Sequence, residues 1–229
     1  MIMKKIIVVL VLFLGATGAM GDIWRTLYDD KLQEAINGNG EAQYDVGAMH
    51  QNGRGVKADR DEAIKWYRKA AAQGVAKAQS RLNLMESNAA RFNKTVLKAA
   101  EGNRDSLYDI GNMYIKGVGT NIDHAKAIDA FKRSADLGHI KSAYKLGLIY
   151  LEGTGVSPSN KEAFKWFKLA AENGNPAAQY YLGKLYADGT GTRQNKTEAL
   201  IWLAKAVDGG FDQARGEMIN VSESMKMAA

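Results

Sequence analysis

Between Ser142 and Ala177 the chain carries two apolar stripes at helical spacing, separated by a polar, glycine-bearing break. Ser142, Leu146 and Tyr150 recur every four residues, and at 3.6 residues per turn such positions share one side of a helix. After the break, Ala163, Trp166 and Ala170 form a second stripe. The predicted unit is therefore a pair of antiparallel helices. It recurs along the chain: 36 residues before and after Gly147 stand Gly111 and Gly183, and Gly47 belongs to a further copy.

Several columns keep this register. Six residues past each of those glycines begins a Gly-x-Gly: Gly53-Arg-Gly55, Gly117-Val-Gly119, Gly153-Thr-Gly155 and Gly189-Thr-Gly191. Ala63, Ala127, Ala163 and Ala199 form another column, and Trp66, Trp166 and Trp202 a third in which Ala130 is the exception. Gly74, Gly138, Gly174 and Gly210 close the units. A glycine inside a helix costs roughly 1 kcal/mol against alanine. Meeting that cost four times at one column predicts a close approach by the partner helix. Gly-x-Gly supplies the turn. Asp59, Asp123, Ser159 and Asn195 are good N-caps for the second helix. Ser159 with Glu162 fits a capping box, and Asp59 with Glu62 and Asn195 with Glu198 are variants of it.

The segments outside the full units are read by the same register. Ala35, Gly38 and Ala42 lie 36 before Ala71, Gly74 and Ala78, so residues 22–41 are expected to form an N-terminal capping helix, with Trp24 and Tyr28 covering its exposed end. Residues 78–105 are a shortened unit of 28 residues that lacks the Gly-x-Gly loop, with Asn83 in place of the helix glycine and Thr95 where Phe131 stands later. Residues 214–229 are expected to be a C-terminal capping helix.

The repeated residues resemble the Sel-one-like repeat (SLR) family, relatives of the tetratricopeptide repeats. The family pattern, roughly A-x(4)-G-x(2)-Y-x(2)-G-x-G-V followed by A-x(2)-W-Y/F-x(2)-A-A-x(2)-G, fits residues 42–77 and 142–177 almost position for position. Residues 106–141 and 178–213 fit with losses: Ala130 replaces the tryptophan, and Thr120 and Thr192 replace the valine. The resemblance implies an all-α fold, a right-handed α-solenoid of stacked helix-turn-helix repeats, and a role as a protein-interaction scaffold.

Composition narrows the chemistry. Met1–Lys5 is basic, Ile6–Leu14 is apolar without interruption, and small residues follow, which is the layout of a secretory signal peptide over residues 1–21. Nine apolar residues fall short of the ~20 that span a bilayer. Cleavage is expected after Ala19 or Gly21, placing a mature bacterial protein of residues 22–229 in the periplasm or outside the cell, not spanning the membrane. Having no cysteine removes disulfides, thiolate metal sites and cysteine nucleophiles. The net charge of +6 falls to +4 without Lys4 and Lys5, with both signs interspersed, which predicts a solvated surface and no nucleic-acid partner.

His50, His124 and His139 lack a second ligand at metal spacing, and His50 falls in the column of Tyr114, Tyr150 and Tyr186, where it is expected to pack between helices. The Gly-x-Gly loops follow helices, not strands, so they are turns and not phosphate cradles. No catalytic residue, metal or cofactor is expected. The candidate functional feature is a column of tyrosines, Tyr44, Tyr108, Tyr144 and Tyr180, beside Asp45, Asp109, Lys145 and Tyr181. The tyrosines sit about 200° round the helix from the small residue that opens each unit. In the family, first helices line a concave groove, so the resemblance implies that this column meets a protein or peptide partner. The alternatives are a glycan partner, as in a cell-wall or exopolysaccharide assembly factor, and a β-lactamase-like hydrolase. This chain lacks the paired cysteines of the relatives linked to the latter.

Overall fold

The computed structural model describes residues 17–227. Eleven α-helices and no strand occupy them: α1 (Thr17–Ile36), α2 (Gly40–Asn52), α3 (Arg60–Ala72), α4 (Ala76–Ala100), α5 (Arg104–Lys116), α6 (His124–Asp136), α7 (Ile140–Glu152), α8 (Asn160–Glu172), α9 (Pro176–Asp188), α10 (Lys196–Asp208) and α11 (Gln213–Lys226). They divide into two compact units at Ala90, inside α4. In the first unit, α1 packs on α2, α2 pairs with α3, and the first half of α4 follows. The second stacks the pairs α5/α6, α7/α8 and α9/α10 between the second half of α4 and α11. Most of the signal-peptide reading lies outside the described residues; Thr17–Gly21 form the start of α1.

Caps define each second helix. Asp59, Asp123, Ser159 and Asn195 accept hydrogen bonds from the backbone N–H groups of Glu62, Lys126, Glu162 and Glu198. The reciprocal half of the capping box is not formed. Each cap's own N–H donates instead to a carbonyl of the preceding helix, on His50, Tyr114, Tyr150 and Tyr186. Glu62 and Glu162, relieved of that duty, pair with Lys65 and Lys165. First helices have their own caps in the residue after the closing glycine: Asn39, Asn103 and Asn175 accept from Ala42, Ser106 and Ala178 N–H groups.

The helix glycines are explained by a ring. A Cβ on Gly147 would lie 2.6 Å from the Phe167 ring, one on Gly111 2.5 Å from Phe131, and one on Gly47 2.9 Å from Tyr67. At Gly183 the neighbour is Leu203, at 2.7 Å. The residue that fills the core is thus the one after the tryptophan. Tyr67, Phe131, Phe167 and Leu203 are fully buried, whereas Trp66, Trp166 and Trp202 are half-buried at the edge. Of the stripe Ala163, Trp166 and Ala170, expected to be buried together, the two alanines are buried and Trp166 is the exception.

The second glycine of three of the loops makes a different approach. Gly155 lies against His124 and Gly191 against the Asn160 carbonyl, both at the start of the preceding unit's second helix; an added Cβ would sit 2.1 and 2.2 Å away. Gly55 meets the Trp24 carbonyl of α1 in the same manner. Tyr28 faces inward against His50, and the half-buried Trp24 ring lies under the Arg54 guanidinium of the first repeat's loop. They do not cover the end of the array. In place of a shortened helix pair, residues 76–100 form one continuous helix, because without a Gly-x-Gly nothing turns the chain.

Candidate functional site: the tyrosine column and its neighbours

In the first unit, Tyr44 is half-buried with its ring centroid 5.4 Å from that of Tyr67. The Lys77 ammonium stands 4.3 Å from the Tyr44 ring centroid and pairs with Glu41. Asp45 is half-buried, 4.0 Å from Lys31 of α1.

In the second unit, Tyr108 and Tyr144 lean on Phe131 and Phe167 of their own repeats, at 5.7 and 6.0 Å between centroids. Tyr180 has Leu203 in that place and packs instead with Phe211 at 5.1 Å and Tyr181 at 5.4 Å. All three are half-buried. The rings do not project straight into solvent; they lie on the shoulder between core and surface, with one side committed to packing. Their hydroxyls make no hydrogen bond to protein among the described residues. Burial raises the Tyr144 phenol above its ordinary pKa, with Tyr181 and Glu152 adding to the shift.

The residues one place on have diverse surroundings. Tyr181 stacks on Phe167 of the preceding repeat, 4.8 Å between centroids and 5° between planes. Asp109 is exposed and Lys145 half-exposed.

A buried chain of hydroxyls beside Tyr108 was not legible from spacing. The Ser134 hydroxyl donates to the Arg104 carbonyl, and the Ser142 hydroxyl donates to Ser134, each at 2.7 Å. Ser142 has then used its hydrogen, so it must accept from His139 Nδ1, 2.8 Å away. That fixes the neutral His139 as the Nδ1–H tautomer, leaving Nε2 to face Asp105 at 3.5 Å. The His139 ring centroid is 4.7 Å from that of Tyr108. Burial holds the imidazole below its ordinary pKa; Arg104 and Lys141 lower it further, while Asp105 and Asp109 oppose the shift. His50 is likewise lowered by burial, with Glu62 and Asp59 opposing. Its Nε2 meets the Tyr28 hydroxyl at 3.1 Å.

No group of three metal-ligating side chains converges among the described residues. Among them, too, no helix is long and apolar enough to cross a membrane. What the second unit offers is a line of half-covered aromatic rings beside exposed charges, an arrangement suited to contacting another molecule.

The model of the Sel1 repeat matches residues 40–75, 104–139, 140–175 and 176–211, each window opening at the first residue of α2, α5, α7 or α9. The chain belongs to the Sel1 repeat family. Among solved structures, it is similar to c5321, a protective antigen of uropathogenic Escherichia coli with an SLR fold, at 26% identity and a TM-score of 0.56 over 84% of this chain. A Sel1 repeat protein from Oxalobacter formigenes is 28% identical, with a TM-score of 0.50 over 86% of this chain. The chain spans 43% and 49% of those two proteins' lengths. Sel1 repeats are in general scaffolds for protein–protein interaction, and the fold class is the all-α solenoid of helix pairs. Each Sel1 repeat here places one tyrosine of the column one turn into its first helix.

Proposed function

We propose that this Sel1 repeat protein is an exported, non-catalytic scaffold that binds a protein or peptide partner along the face of its first helices. The observation that carries the reading is the tyrosine column of α5, α7 and α9. Tyr108 and Tyr144 are held on one side by core aromatics and Tyr180 by Phe211 and Tyr181, while their hydroxyls stay open to a partner. Rigid, half-buried aromatics lose little conformational entropy on binding, which favours them as interface anchors. Export is supported by the basic, apolar and small-residue order of residues 1–21. Removal of that segment would spare Trp24, Tyr28 and Ala35, which hold α1 in place. The absence of cysteine speaks against the hydrolase alternative.

The test is crosslinking in a periplasmic extract with wild-type protein, a Tyr144→Phe/Tyr180→Phe variant and a Tyr144→Ala/Tyr180→Ala variant. Phenylalanine preserves the packing on Phe167 and Phe211, so a partner weakened by it reports on the hydroxyls. A partner retained by the alanine variant, with helical content intact, would remove the column from the binding face. Capture of purified cell-wall glycan by the protein alone would instead support the glycan reading.

A further inference from the structure

Within the second unit, α5, α7 and α9 carry a stripe of exposed and half-exposed residues at i, i+4, i+7 and i+11. On α5 it reads Asp105, Asp109, Asn112, Lys116; on α7, Lys141, Lys145, Leu148, Glu152. At the tyrosine level, successive helices therefore present two carboxylates and then two ammonium groups. Asp109, Lys141 and Lys145 make no ion pair among the described residues, and Asp105 has only Arg104 at 4.0 Å and His139 at 3.5 Å. These charges do not neutralise one another across the repeat boundary. On the third helix the stripe continues with Tyr181 and with Lys184, whose ammonium lies 5.7 Å from the Tyr180 ring centroid.

We propose that this face selects an extended peptide bearing one basic and one acidic side chain about three residues apart, the first set against Asp105 and Asp109 and the second against Lys141 and Lys145. The spacing takes the starts of α5 and α7, which the His139–Asp105 contact at 3.5 Å makes neighbours, as about 10 Å apart, and an extended chain as rising about 3.3 Å per residue. Tyr108 and Tyr144 flank the two charge pairs and would pack against the peptide between them. A singly charged or like-charged peptide would leave one pair opposed or unmatched, so charge complementarity here governs selection more than total affinity. The proposal rests on the peptide-scaffold reading above and adds a chemical class to it.

The experiment measures fluorescence anisotropy with four labelled octapeptide libraries that differ only at two fixed positions three residues apart: Lys/Glu, Gln/Gln, Lys/Lys and Glu/Glu. The wild-type protein is expected to bind the Lys/Glu library about fivefold more tightly than Gln/Gln, an advantage that shrinks in added salt. The variant Lys141→Glu/Lys145→Glu should shift the preference to Lys/Lys, and Asp105→Lys/Asp109→Lys to Glu/Glu. Lys116→Glu with Glu152→Lys alters the same stripe about 10 Å further along the helices and should leave the Lys/Glu preference in place. Equal binding of all four libraries, lost on Tyr144→Ala/Tyr180→Ala, would overturn the charge selection and leave the scaffold reading standing. Absence of binding to any library would overturn the charge selection, while the scaffold reading would still be decided by the crosslinking of wild-type and Tyr144→Ala/Tyr180→Ala protein.

Discussion

A single methylene decides the packing of each repeat. The 2.6 Å between an added Cβ at Gly147 and the Phe167 ring leaves no room for alanine. Gly147→Ala is expected to destabilise the protein by about 2 kcal/mol, within the range for overpacked cores. Phe167→Leu, which imitates the Gly183–Leu203 pair, should recover part of the loss in the double variant, as urea midpoints would reveal. The glycine column was legible because a costly residue repeated at 36-residue spacing demands a steric reason. The ring that supplies the reason was not. Trp166 and Phe167 are adjacent, and one residue's rotation of about 100° separates core from edge. Spacing alone cannot tell which of two neighbouring aromatics turns inward. The Ser134–Ser142–His139 chain was equally invisible, since it joins residues of three different secondary-structure segments.

The same histidine sets a pH dependence. Burial lowers His50 and His139 below the ordinary value of about 6.5, so between those lowered values and 6.5 the unfolded chain binds more protons than the folded one. Stability is thus complete above about pH 6.5 and falls as the pH drops from there, levelling only when the folded sites protonate. Chemical denaturation at pH 7.5 and 5.5 should show the decline, and His50→Gln with His139→Asn should flatten it.

At the scale of an element, loops do more than connect. Gly155 combines a φ of +72° with a Cβ position 2.1 Å from His124 Cβ, so the loop of one repeat rests on the helix start of the one before. Gly155→Ala is expected to cost upwards of about 3 kcal/mol, more than Gly174→Ala, whose φ is +83° but whose surroundings are open. Comparing the two thermal midpoints separates steric contact from backbone strain. The fate of residues 76–100 follows from the same logic. The register of residues 78–105 pointed to a shortened unit, and the missing loop glycines leave a single helix over most of it.

For the whole molecule, the first helix shows how a face is finished for water. Leu27, Lys31 and Glu34 occupy the columns where later repeats bury Ala63, Tyr67 and Ala70. Lys31 and Glu34 pair at 2.7 Å, so two positions that are core elsewhere become a solvated ion pair. At the other end, Ile219 stands in the column of Gly183 and is 53% exposed. Lys31→Phe with Glu34→Ala is expected to expose a sticky face and to bring on concentration-dependent association, visible by sedimentation, while the wild-type protein does not change. Four helix pairs were readable in the sequence, because they repeat; the tailoring of the end helices was not, because each occurs once.

The seating of Gly191 on Asn160, and of Gly155 on His124, has a mechanical side. Each pair in the second unit packs on its neighbours through a shared apolar core, with the Gly155 and Gly191 seats added to it, and reaches nothing beyond them. Drawn out from the C-terminus, such a stack yields like pages pulled from a bound block. Each released repeat of 36 residues pays out about 120 Å of extended chain while the leaves beneath keep their fold.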